Sequence, residues 1–113
     1  MAPIHSITNR SLLLAVAALG ACALGVAAPA CADDQLKLAT DKGCTACHAV
    51  DKKVIGPSYK DVAQKYKGDS GAPELLAQKV IKGGQGVWGP IPMPPNKVSD
   101  DESRKLVAWI LSL

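Results

Sequence analysis

Cys44-Thr45-Ala46-Cys47-His48 sets two thiols within one short turn of chain and places an imidazole directly after the second. Thiols add to vinyl groups, so this spacing suits two thioether links to one haem, with the neighbouring imidazole beneath the iron. A thioredoxin-like redox pair would need a βαβ setting, which the surrounding pattern lacks. A structural zinc site takes four Cys or His ligands. Beyond residue 32 the chain offers only Cys44, Cys47 and His48. His5 and Met1 lie in a segment expected to be removed, which leaves His48 and Met93 as the sole histidine and methionine. A lone methionine is ordinarily a core gap-filler. Beside this motif it becomes the expected sixth ligand, since His/Met is a known axial pair for haem iron.

Those residues sit downstream of an export signature. Arg10 precedes a run from Leu12 to Ala28 that is almost wholly apolar, and Ala30-Cys31-Ala32 supplies small residues for cleavage after Ala32. As a retained membrane helix the run sits at the short limit of the roughly 17–25 residues a span needs. Its Ala-rich end and the acidic Asp33-Asp34 favour removal instead. Leu19-Gly20-Ala21-Cys22 also resembles a lipobox, and a lipidated Cys22 is the one route by which the chain would hold a membrane. The expected organisation is a cleaved secretory signal over 1–32 and one domain over 33–113, with a periplasmic location.

A domain this short buries little apolar surface and usually needs a staple. The chain has no Phe, two Tyr and two Trp, and two of its four cysteines leave with the signal. A covalently held apolar plate would supply the missing core, and the polypeptide without it is expected to be largely unfolded. The formal net charge of +3 excludes a concentrated nucleic-acid-binding surface.

Four helices and no strand can be read around the motif. The first runs from about Asp34 to Asp41, with Leu36, Leu38 and Ala39 as its apolar side, and stops by Gly43. The second begins at Pro57, a residue favoured at a first helical position, and carries Tyr59, Val62, Ala63 and Tyr66 to Gly68. The third starts near Pro73, carries Leu75, Leu76, Lys79 and Val80, and ends at Gly83-Gly84. The fourth opens on a capping box, Ser99 and Glu102, and continues in the stripe Leu106, Trp109, Ile110 and Leu113, expected to cross the first helix. Between the third and fourth lies a long segment without pattern, 83–98. Pro90, Pro92, Pro94 and Pro95 surround Met93 there, a stiff mount for a side chain that must hold its place.

The segments CTACHAVDKKVIGPSYKDVAQKY, GGQGVWGPIPMPPN and VSDDE resemble the class I c-type cytochromes, and more narrowly the small bacterial c-551 (cytochrome c8) group. The resemblance implies an all-α, compact cytochrome c fold of about four helices around one covalent haem c. It implies a periplasmic, monomeric shuttle of single electrons rather than an enzyme. Its partners would be redox proteins, an upstream quinol-oxidising complex and a nitrite reductase, terminal oxidase or peroxidase. It also implies roles for three further residues: Pro57 offers its carbonyl to the His48 ring, Trp88 donates its indole N–H to a haem propionate, and Asn96 bonds the Met93 sulfur. Lys79 stands where some members have an arginine near a propionate, and Ala39 where a bulky aromatic is common. Val54, Ile55, Ile91 and Pro92 form a candidate docking patch at the haem edge, with Lys42, Lys52, Lys53 and Lys60 as steering charges. Two other readings remain at this level: a haem enzyme or gas sensor with a displaceable Met93, and a dedicated subunit of a larger complex.

Overall fold

The structure, a computed structural model, describes residues 28–113, with side chains from Ala32 onward. The export-signal reading, with Arg10, the apolar run and Cys22, therefore falls almost wholly outside the described residues. Four α-helices follow in order: α1 (Ala28–Asp41), α2 (Tyr59–Lys65), α3 (Ala72–Lys82) and α4 (Asp100–Leu111), with a 3-10 turn at Cys44–Ala46. Among the described residues there is no strand, only two isolated bridges, His48 with Lys53 and Gly84 with Met93.

α1 starts six residues before the expected position and runs through Ala32. Pro29 falls in the first turn, where proline is tolerated, and Ala30 and Ala32 are strong helix formers. α2 starts later than the sequence suggests. In a helix beginning at Pro57, that residue's carbonyl would accept the Asp61 N–H. Here the Ser58 hydroxyl accepts it instead, at 3.0 Å, with Ser58 extended as the N-cap. The Pro57 carbonyl is thereby left free for the functional site. α3 has Pro73 in its first turn and ends at Gly83. α4 opens on the full capping box, with the Ser99 hydroxyl accepting from the Glu102 N–H and the Glu102 carboxylate accepting from the Ser99 N–H.

α4 is the central element and packs against α1, α2 and α3. Its buried positions are Ser103, Leu106 and Val107, whereas Leu113, expected in the stripe, is 42% exposed. Ser103 is fully buried and donates its hydroxyl to the Ala77 carbonyl at 2.7 Å, tying α4 to α3. Ala72, Leu76, Ala77 and Val107 form the core cluster, with Val62, Tyr66, Val80 and Leu111 packed around it. Leu36 on α1 and Leu75 on α3, both expected on apolar faces, are exposed. Ala39, Ala72 and Ala77 are fully buried in their neighbourhood. An interior built so largely of alanine lets helices approach closely and supplies little apolar volume of its own.

Candidate functional site

The apolar side chains missing from that small core line a cleft of about 1130 Å³ of empty space, counted to its mouth. Cys44, Cys47, His48, Pro57, Trp88 and Met93 all border it, backed by Leu76, Val80, Leu106, Val107 and Ile110. Six of the seven residues singled out in the sequence are thus brought together. Asn96, the seventh, stands outside the lining.

The cysteine side is built locally. The 3-10 turn begins after Gly43, whose left-handed φ of 79° starts the reversal. The N–H groups of Cys47 and His48 then both return to the Cys44 carbonyl, at 3.1 and 3.0 Å. Both thiols are free and partly buried, and burial pushes the Cys44 thiol up, so it stays neutral at pH 7. His48 Nδ1 lies 2.7 Å from the Pro57 carbonyl oxygen. A carbonyl only accepts, so Nδ1 carries the proton and Nε2 keeps the lone pair a metal would take. Gly56 packs flat on this ring: a Cβ there would fall 2.6 Å from Cε1. Tyr59 stacks on the imidazole with centroids 5.4 Å apart, and Trp109 meets Tyr59 edge-on at the same spacing. Burial raises the Tyr59 phenol above its ordinary value and keeps it protonated.

The methionine side is built on main-chain pairing. Met93 donates its N–H to the Gly84 carbonyl at 2.7 Å and accepts the Gly84 N–H at 3.0 Å. The Asn96 amide donates to the carbonyls of Val80 (2.9 Å) and Pro94 (3.2 Å). These two bonds hold the Asn96 side chain against the end of α3 and the turn after Met93. The reason lies in α3: Gly83 breaks the helix, so the Val80 carbonyl loses its partner four residues on and takes Asn96 instead. Gly83 has φ 78°, and a Cβ there would lie 2.5 Å from the Met93 carbonyl oxygen.

A donor set of two thiols, an imidazole with one open nitrogen and a thioether, around an otherwise apolar cleft, fits a covalently attached haem and fits no other common cofactor. Among the described residues no cluster of three or more His, Cys, Asp or Glu side chains is placed to hold a metal ion directly. The family model for cytochrome c matches residues 36–113. The chain belongs to the cytochrome c family. Cytochrome c-551 of Pseudomonas aeruginosa is 59% identical over 81 residues, covering 72% of this chain and 78% of that protein. Cytochrome c-552 of Hydrogenobacter thermophilus is 50% identical over 90 residues, covering 80% and 90%. The crystal structure of wild-type Nitrosomonas europaea cytochrome c552 superposes with a TM-score of 0.67 at 49% identity, over 68% of this chain and 96% of that one. These findings establish a small class I c-type cytochrome of the c-551 type with the all-α fold, an electron-transfer protein and not an enzyme. Cytochromes of this family carry one covalent haem c, and Cys44 and Cys47 lie in its Cys-x-x-Cys-His stretch.

The surface expectations change in part in this cytochrome. Trp88 borders the cleft, and the Lys65 ammonium stands 5.5 Å from its ring centroid, a cation–π contact at the mouth of the cleft. Val54, Ile55 and Ile91 are exposed as expected, and Ile55, Ile91 and Pro92 border the mouth. Two of the four steering lysines are already engaged: Lys42 with Glu102 at 3.0 Å and Lys60 with Asp51 at 2.5 Å. Lys52 and Lys53 join no ion pair among the described residues. Sequence reading missed Tyr59, Gly56 and Gly84 as parts of the site. Gly56 was within reach, since a glycine before Pro57 already hints at a close approach.

Proposed function

We propose that this cytochrome is a periplasmic carrier of single electrons whose haem iron is held between His48 and Met93, with Cys44 and Cys47 forming the thioether links. The observation that carries this reading is the fixed tautomer of His48: its Nδ1–H is committed to Pro57, so Nε2 is the open ligand atom in a cleft that Met93 also lines. Bound haem c supplies a one-electron iron couple. The residues decide the rest. The Pro57 bond makes the His48 ring a better donor and stops it turning. A neutral thioether at Met93 favours the reduced state and raises the potential. Leu76, Val80, Leu106, Val107 and Ile110 keep water away, so an added positive charge is poorly solvated.

Residues 1–32 serve export in this reading, and 33–113 form the working domain. Among the described residues no helix is long and apolar enough to cross a membrane. Electrons pass at the edge bordered by Ile55, Ile91 and Pro92, where Lys52 and Lys53 are free to steer an acidic partner, through the small weak interface typical of redox encounters. A quinol-oxidising complex upstream and a nitrite reductase, terminal oxidase or peroxidase downstream are the partners this chemistry serves. Trp88 and Lys79 border the cleft where polar groups are available for the haem propionates.

An optical spectrum of the haem-loaded protein in both redox states tests the ligand pair. A low-spin ferric form with a methionine–iron charge-transfer band, lost in Met93→Ala, is the expected result. A high-spin ferric spectrum, or rapid carbon monoxide binding by the reduced wild-type protein, would instead mark a haem enzyme or gas sensor.

A further inference from the structure

Gly83 leaves α3 with φ 78° and ψ −178°, a backbone state that essentially only glycine adopts. That break turns the chain so that the next residue, Gly84, exchanges both of its backbone hydrogen bonds with Met93. A Cβ on Gly83 would meet the Met93 carbonyl oxygen at 2.5 Å and the Pro94 carbonyl carbon and Pro95 nitrogen at 3.0 Å each. All three are main-chain atoms, and the two prolines after Met93 fix φ there, so no side-chain rotation relieves the clash. Gly84 differs. A Cβ there would approach only the Lys79 side chain, at 3.6 Å and beyond, so its part is the pair of hydrogen bonds and not the empty space.

Resting on the reading of Met93 as a ligand, we infer that Gly83 and Gly84 are positioning residues for Met93, one by leaving room for its backbone and the other by pairing with it. The backbone that carries Met93 is thus held directly by the residues that end α3. The end of α3 is then the gauge for the distance between sulfur and iron.

The test uses haem-loaded protein carrying Gly83→Ala or Gly68→Ala. Gly68 also has a positive φ of 79° but open space around it, so it reports backbone strain without contact to Met93. Two quantities are read: the methionine–iron charge-transfer band and the rate at which imidazole binds the ferric protein. Gly83→Ala should weaken or abolish the band and speed imidazole binding about tenfold or more, the size of effect that backbone strain of this kind produces. Gly68→Ala should keep the wild-type band and rate. A wild-type band and rate in Gly83→Ala would overturn the inference, as would equal effects from Gly68→Ala. Should Gly83→Ala fail to fold, amide hydrogen exchange in the wild-type protein decides: the Met93 and Gly84 amides must exchange far more slowly than those of Val87 and Trp88 in the same loop, and equal rates would refute the pairing. A band and imidazole rate unaltered by Met93→Ala, with the Met93 amide still protected in wild type, would sink the ligand reading and leave the backbone pairing intact.

Discussion

The two walls of the cleft are made by opposite strategies. On the His48 wall everything lies within sixteen residues of sequence: the 3-10 turn, Gly56, the Pro57 carbonyl and the Tyr59 ring all fall between Cys44 and Tyr59. The ligand side chain itself is hydrogen-bonded there. On the Met93 wall the bonds cover a stretch of similar length, from Val80 to Asn96, but Gly84 and Met93 pair through main chain and the ligand side chain itself is not held. A local motif can be stiff at its tip, whereas a loop pinned at its base leaves the tip dependent on the helix beneath it. The difference places any ligand exchange on the methionine side.

The largest expected effect comes from removing what both walls hold. Cys44→Ser together with Cys47→Ser, which blocks attachment, should abolish most of the helical circular dichroism, because an alanine-rich core cannot close without the haem. A cooperative thermal transition in that variant would show that the walls stand unaided. Next is Gly56→Ala, which drives a methyl group into the His48 ring and should cost about 1–3 kcal/mol in denaturant unfolding; a cost no greater than that of Gly68→Ala would mean the histidine wall has slack. Asn96→Ala follows, at about 1–2 kcal/mol for its lost amide bonds, with faster imidazole binding while the His48 environment, read by the ring's NMR shifts, stays unchanged. A shift at His48 would erase the distinction between the walls.

The smallest effect should come from the N-terminal end of α4, away from both. Ser99→Ala removes the cap and should cost about 1 kcal/mol without altering the optical spectrum. The Ser99 N–H, then Lys42, hold the Glu102 carboxyl below its ordinary value of 4.5. A lowered pKa in the folded state adds stability above the unfolded value and loses it as pH falls through the folded one. The difference in melting temperature between wild type and Glu102→Gln should therefore be constant at neutral pH and shrink below about pH 4.5.

Much of this was legible beforehand because it is local chemistry. Cys-x-x-Cys-His, the Ser99/Glu102 box and the Pro73-to-Gly83 span of α3 are signals that a few neighbouring residues complete among themselves. The misreadings share one cause, a partner supplied from elsewhere in the fold. Pro57 looks like a helix start until Ser58 takes the cap and His48 claims the carbonyl. The Val80 carbonyl as a partner of Asn96 could not be read from the sequence, because only the broken end of α3 makes it available. Leu36 and Leu75 fit apolar stripes, yet their positions on α1 and α3 face away from α4.

The double use of the Val80 carbonyl, which takes both the backbone and side-chain N–H of Asn96, binds the fate of α3 to that of the methionine loop. Neither can fray alone: peeling the loop away strips the last turn of the helix of its terminal acceptor bonds, and unwinding that turn releases the loop. The two should thus open as one sub-global unit, below the free energy of global unfolding. On heating, sulfur should therefore leave the iron together with a single helical turn, ahead of the main melt and while the cysteine turn is still native.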